Sequence, residues 1–259
     1  MLNDDGSRST IIQQGFAAMP GGVVQNAIFE FRKVLIEMSW LKNRDLKQLL
    51  RLAPLALMLV FPFLGSLYHL VNQPTDKVYS LVTPLDQATP FIKYFALPYG
   101  VWIFYIYVCL VYFFFRDRPS YYRSLLVYTV CALTCYGVYL VFQTTVPRPE
   151  VIGNDPFAQL TRFIYNRDQP FNCFPSIHCF SSYMVMRMIW KSPARNRLNV
   201  TLISGMSLLI IASTLFMKQH VIMDVIGAIA IVEIYSFLFF KVPALYRNKA
   251  ASRQREFQV

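Results

Sequence analysis

The chain has 259 residues, of which 55% are hydrophobic, 16% aromatic and only 15% charged. Soluble domains carry about 25% charge, and a soluble fold of this size with so little charge has too few polar side chains to cover its surface. Disordered, coiled-coil and collagen-like chains are excluded by the same figures, while the net charge of +11 fits either nucleic acid or membrane topology until the charges are placed.

The first 50 residues carry Arg, Lys, Asp and Glu, and do not read as a signal peptide. Within them Ala27, Ile28, Phe31, Leu35 and Met38 recur at helical spacing, with Glu30, Arg32, Lys33 and Glu37 between. This pattern predicts an amphipathic helix, lying either on a bilayer surface or against a helical bundle. Six apolar runs follow, at residues 52–71, 94–115, 125–146, 174–190, 198–217 and 221–240. A helix needs about 20 apolar residues to cross about 30 Å of hydrocarbon. The runs therefore predict an all-α fold, a six-transmembrane helical bundle with an N-terminal amphipathic interfacial helix. Three regions result: a leader (1–50), a membrane domain (51–242) and a basic tail (243–259).

The basic residues sort to two sides. Arg8, Arg32, Lys33, Lys42, Arg44, Lys47 and Arg51 precede the spans. Arg116, Arg118 and Arg123 join spans two and three, and Arg187, Lys191, Arg195 and Arg197 lie at the end of span four and in the link to span five. Lys241, Arg247, Lys249, Arg253 and Arg255 end the chain. These nineteen share one side, whereas Lys77, Lys93, Arg148, Arg162, Arg167 and Lys218 occupy the other. The bias predicts both termini in the cytoplasm, at the plasma membrane, with the sparsely charged side facing out. It explains the net charge without nucleic acid. Five cysteines show no metal or disulfide spacing, and read as buried thiols.

The outward links hold the chemistry. Residues 72–93 read as a loop; 147–172 contain Arg148-Pro149 and a stretch, 156–165, with Phe157, Leu160 and Ile164 on one helical face. Only Lys218-Gln219-His220 joins the last two spans, so the ends of spans three to six converge. Of three histidines, His69 reads as an interfacial residue. His178 opens the fourth span in Phe174-Pro175-Ser176-Ile177-His178, and His220 opens the sixth with Asp224 four residues on. Residues four apart share a helix face, so Asp224 can orient the His220 imidazole and raise its nucleophilicity. Arg148, Lys218 and the N-terminus of span four complete an anion site. Phosphate suits it: one histidine takes the phosphoryl group, the other protonates the leaving oxygen and then deprotonates the acceptor.

Val146-Pro147-Arg148-Pro149, Pro175-Ser176-Ile177-His178 and Ser213 followed by Lys218-Gln219-His220-Val221-Ile222-Met223-Asp224 resemble, in that order, the three motifs of the type-2 phosphatidic acid phosphatase superfamily. The resemblance covers roughly the last 140 residues. It implies a lipid phosphatase with His220 as nucleophile forming phosphohistidine, Asp224 orienting it and His178 as acid then base. Arg148, Ser176 and Lys218 would hold the phosphate. Neither a metal nor another cofactor is implied, and the expected partners are a lipid phosphate substrate and membrane lipids. Three positions depart from the phosphatase pattern: Val141 where a lysine is expected, Thr214 where an arginine is expected, and Ile177 where glycine is usual. These departures resemble the branch with inositol-phosphorylceramide and sphingomyelin synthases, which pass a phospho-head group to a lipid alcohol. Three other readings of the same residues stay open: a bis-histidine haem protein, a His/His/Asp metal site, and a transporter that binds an anion without chemistry.

Overall fold

The computed structural model describes residues 29–30, 32–33, 46–73, 75 and 77–241. The five apolar positions of the leader pattern and the tail beyond Lys241 lie outside the described residues. The chain divides into two compact units, 1–56 and 57–259. In the first, residues 46–52 are helical and a 3-10 turn begins at Ala53. The second contains everything below.

Helix α1 spans Val60–Val71. A two-residue strand β1 (Tyr79–Ser80) and a short helix α2 (Pro84–Ala88) form the first link. Helices α3 (Ala96–Gly100) and α4 (Trp102–Arg116) follow a 3-10 turn at Lys93–Phe95. Then come α5 (Arg118–Val141), β2 (Thr144–Thr145), α6 (Pro156–Arg167), α7 (Ile177–Lys191), α8 (Arg197–Phe216) and α9 (Ile222–Ser236), which ends in a π turn to Lys241.

The bundle has an apolar exterior. Phe104, Val108, Leu140, Val141, Leu198 and Ile226 are exposed, while Asp86, Asp117, Ser124, Gln143, Ser207 and Asp224 are buried. That inversion suits hydrocarbon, where only side chains without polar groups are free to face outward. Five helical segments are long and apolar enough to cross a membrane: Leu46–Val71, Lys93–Arg116, Arg118–Val141, Arg197–Phe216 and Ile222–Lys241. The fourth apolar run is different. Its residues 174–176 are not helical, and α7 has 15 residues, about 22 Å at 1.5 Å per residue. Helices α4, α5, α8 and α9 pack against it, and eight of its residues are buried. A 15-residue helix enclosed by helical segments of 20 to 24 residues has its ends shielded by protein and need not match the bilayer thickness.

Caps explain where the helices begin. Asp117 accepts from Ser120 N, and Pro119 sits in the first turn, so α5 starts seven residues before its apolar run. Burial disfavours the Asp117 carboxylate charge, but hydrogen bonds from Ser120 and Ser192 overcome this and hold it below the usual range. At the other end, the run predicted to stay helical to residue 146 leaves the helix at Phe142. Gln143 is drawn away by Thr75, Gln73 and Asn172, and β2 pairs in parallel with β1, Tyr79 opposite Thr144. The predicted amphipathic stretch forms α6, capped by Asp155 at Phe157 N and Ala158 N. Ala158, Thr161 and Ile164 are its buried residues, and Leu160 packs beside Ile164 on the same cluster, so the inner face includes two of the three predicted positions. Gly227 is required by close approach: a Cβ there would lie 2.5 Å from the Phe174 ring. The ring of the segment leading into α7 therefore rests directly on α9.

Candidate active site

The site is built at one end of the bundle from the starts of α7 and α9, the turn between α8 and α9, and the links carrying α2 and α6. The turn is tight because Gln219 N and His220 N both donate to Thr214 O. Lys218 takes φ 53° there, a left-handed conformation that costs a side-chain-bearing residue about 1–2 kcal/mol. Two carboxylates then seize the free N–H groups opening α9. Val221 N donates to Asp224 Oδ2 at 3.0 Å, and Ile222 N donates to Asp86 Oδ1 at 2.9 Å. Orphan donors at a helix start accept such partners readily.

Asp224 is fully buried, and its Oδ2 lies 3.1 Å from His220 Nδ1. Nδ1–H donated to Asp224 leaves the Nε2 lone pair as the nucleophile. His220 lines a cavity of about 380 Å³ together with Arg148, Lys218, Asp86, Pro147, Leu215 and other residues of the links. Arg148 is held firmly. Its Nη1 donates to Tyr165 O at 2.9 Å, its Nη2 to Asp168 O and to Gln219 Oε1, and its guanidinium stacks 4.5 Å over the Tyr165 ring. Burial pushes the Tyr165 hydroxyl up to about 12 against the pull of Arg148, so it stays a neutral donor to Met217 O at 2.6 Å. Lys218 Nζ donates to Asp86 O at 2.6 Å.

Two buried donors here, Arg148 Nε and Gln219 Nε2, have no acceptor among the described residues. An unsatisfied buried donor is costly, and that of Arg148, which lines the cavity beside His220, suits an incoming anion. Sequence reasoning missed Gln219, although it adjoins His220. It also missed Asp86, whose signal was Thr83-Pro84-Leu85-Asp86, a capping box in which Thr83 and Asp86 bond reciprocally.

His178 lies beside His220, ring centroids 5.8 Å apart. Its ring is stacked on Tyr99 at 4.3 Å and tilted against Trp102 at 4.1 Å. Ser176 is placed differently from expectation. It is fully buried, its Oγ caps α7 by accepting from Cys179 N at 3.2 Å, and it is not among the residues lining the cavity. Its position is explained by the cap alone. Tyr139 OH fixes the same loop by donating to Pro175 O at 2.6 Å. Val141 is exposed on the outside of the bundle and Thr214 is buried at the turn, so neither position brings another cation to the cavity. His69, at the end of α1, is exposed.

Cys173, His220 and Asp224 have their potential ligand atoms within 4.8 Å of one another. His220 and Asp224 already bond to each other, and burial pushes the Cys173 thiol well up. A metal here would have to displace that proton and break that bond. The donor set therefore fits a metal poorly.

Fold and site together define an all-helical membrane protein with a buried histidine–aspartate pair beside a cavity walled by Arg148 and Lys218. The family model described as the PAP2 superfamily matches residues 78–238, and the chain belongs to that superfamily, the type-2 phosphatidic acid phosphatases and their relatives. No curated protein and no solved structure matches the chain.

Proposed function

We propose that the protein is an integral membrane lipid phosphatase. It hydrolyses a lipid phosphate monoester or pyrophosphate through a phosphohistidine on His220, at the outer membrane face, with both termini cytoplasmic. The observation that carries this reading is the His220–Asp224 pair on a cavity walled by Arg148 and Lys218. Nε2 of His220 attacks phosphorus in line. His178 protonates the departing lipid oxygen, then takes a proton from water as that water attacks the phosphohistidine. Arg148 and Lys218 neutralise the charge on the equatorial oxygens. Fixed cations and a histidine nucleophile supply this chemistry without a metal.

A second reading, transfer of a phospho-head group to a lipid alcohol, has its own observation. Asp86 lines the same cavity as the two cations, so three formal charges leave a net of one positive. A phosphodiester with one negative charge matches that better than a dianionic monoester.

One experiment separates the readings. The purified protein is incubated with phosphatidate, an isoprenoid pyrophosphate and a phosphoinositol lipid, with and without ceramide or diacylglycerol, and with and without EDTA. Free phosphate is the expected product; a new phospholipid gives the transferase. Activity lost in EDTA favours a metal site, and a Soret band favours haem. Substrate binding without turnover gives the transporter. Full activity in His220→Ala on every accepted lipid overturns the proposal.

A further inference from the structure

His220 has its orienting carboxylate four residues away, whereas nothing in its own sequence neighbourhood orients His178. The fold supplies a partner from elsewhere. Tyr99, on α3, places its hydroxyl oxygen 3.5 Å from His178 Nδ1. The same hydroxyl donates to Asp168 Oδ2 at 2.6 Å. Asp168 is the C-terminal cap of α6, and its other carboxylate oxygen accepts from Tyr68 OH at 3.3 Å. Its backbone oxygen holds Arg148.

We propose that Asp168 and Tyr99 form a carboxylate–phenol relay that orients His178, and so act as positioning residues for the acid–base step; this rests on the phosphotransfer reading above. The hydrogen bonds run one way. The phenol proton is committed to Asp168, which leaves the phenol oxygen as an acceptor. His178 Nδ1–H is the donor that satisfies it, so the lone pair is fixed on Nε2. No proton leaves Tyr99. His178 carries its Nε2 proton until the leaving oxygen takes it and regains one from the attacking water; whenever it is protonated, the positive charge faces the Asp168 carboxylate through the phenol. The separation of 3.5 Å is long for a bond at rest, and catalytic hydrogen bonds tighten in the loaded enzyme. Stacking on Tyr99 and Trp102 holds the ring plane, and Trp102 is itself pinned by its Nε1 donating to Ser181 Oγ at 2.7 Å.

Because Asp168 also holds Arg148 through its backbone, one short segment after α6 places both the acid–base histidine and a phosphate cation. The side-chain role is separable from the backbone role by substitution, since Asp168→Asn keeps the backbone oxygen.

The test uses Tyr99→Phe, which keeps the stacked ring and removes the oxygen, and Asp168→Asn. The chain has only three histidines, so nitrogen-15 spectra of histidine-labelled protein in nanodiscs are readable, with His178→Ala assigning the signals. In spectra taken above the pH at which His178 loses its Nε2 proton, the wild type is expected as the Nδ1–H tautomer, and in Tyr99→Phe the Nε2–H form gains. On the accepted lipid phosphate, kcat falls about 10- to 100-fold in each variant with KM within about two-fold, and neither change adds to the loss in His178→Ala. An unchanged tautomer together with an unchanged kcat in both variants overturns the relay. The tautomer is measured without substrate, so failure of the relay is distinguishable from failure of the phosphotransfer reading, in which the wild type turns over no lipid phosphate at all.

Discussion

The two histidines at the site are held in opposite ways. His220 is served locally: Asp224 lies four residues on, in the first turn of α9, and the same carboxylate oxygen also accepts from Val221 N just before that helix. His178 is served at long range, by Tyr99 and Trp102 from the α3–α4 region and by Asp168 from the far end of α6. The local arrangement depends on the start of α9 and on the tight turn that delivers His220 to it. The distant one exists only when three separate elements are docked. A nucleophile needs a fixed lone pair at all times, whereas an acid–base group acts after substrate has entered, so its partners are free to depend on the assembled fold.

The largest expected effect separates the two. His220→Ala should remove turnover by about 10³-fold or more, since the covalent step has no substitute. His178→Ala should depend on the substrate. With an aryl phosphate, whose leaving group needs no proton, the first step bypasses His178 and the phosphoenzyme accumulates. Phosphorus-32 labelling that survives base and is lost in acid, present in His178→Ala and absent in His220→Ala, is the expected pattern. Equal labelling in both variants would merge the two roles.

Arg148 comes next, because it belongs to both regions. Its guanidinium ties the α6 end, through Tyr165 O and Asp168 O, to Gln219 beside His220. Arg148→Ala should lower kcat/KM about 10²- to 10³-fold. Arg148→Lys should recover little of this, because one ammonium cannot replace a planar fork that meets three acceptors in different directions. Recovery to within about three-fold would show that charge alone matters.

Lys218 probes the local side. Its left-handed backbone favours glycine, yet lysine stands there with its ammonium on Asp86 O. Lys218→Gly should relieve strain and remove a cation, so activity should drop about ten-fold while the melting temperature holds or rises. A melting temperature that falls with activity would make the Lys218–Asp86 contact structural instead of catalytic.

The same contrast explains what the sequence revealed. His220 and Asp224 were legible as a four-residue spacing, although the contact is made from the extended residues before α9 and His220 stands outside the helix; Arg148 and Lys218 were legible because a cation is conspicuous beside so many apolar residues. The spans were legible as runs. Their ends were less so: α5 begins at its Asp117 cap instead of at its first leucine, and stops where Gln143 finds partners in other links. The fourth run gave a helix too short to match its neighbours, since apolarity reports burial and does not distinguish lipid from protein. Tyr99 and Asp168 are separated from each other by 69 residues and sit in no motif, so only the folded chain brings them to His178. Ser176 shows the converse, a motif residue whose visible work is to cap α7.

The smallest expected effect on activity belongs to a pair that lies away from both histidines. Nine residues beyond His178 on α7, Arg187 donates to Glu233 of α9 through Nε at 2.5 Å and Nη2 at 3.2 Å, and Tyr183 OH joins at 2.9 Å. Opposite charges on two packed membrane helices stabilise each other by pairing. The Glu233 side chain is 46% exposed and that of Arg187 14%, so the pair is worth less than a fully buried one. Glu233→Ala should cost about 1–2 kcal/mol of stability, read as a lower melting temperature in detergent. The double change Arg187→Met with Glu233→Leu should restore most of that loss, since it strands no charge. Both should keep kcat within about two-fold, because α7 and α9 are also joined at the site end, where Ser176 N donates to Asp224 O and Phe174 packs on Gly227. A large fall in kcat in the double variant would mean that the geometry of His178 is set along the whole length of α7 and is not confined to the contacts around its first turn.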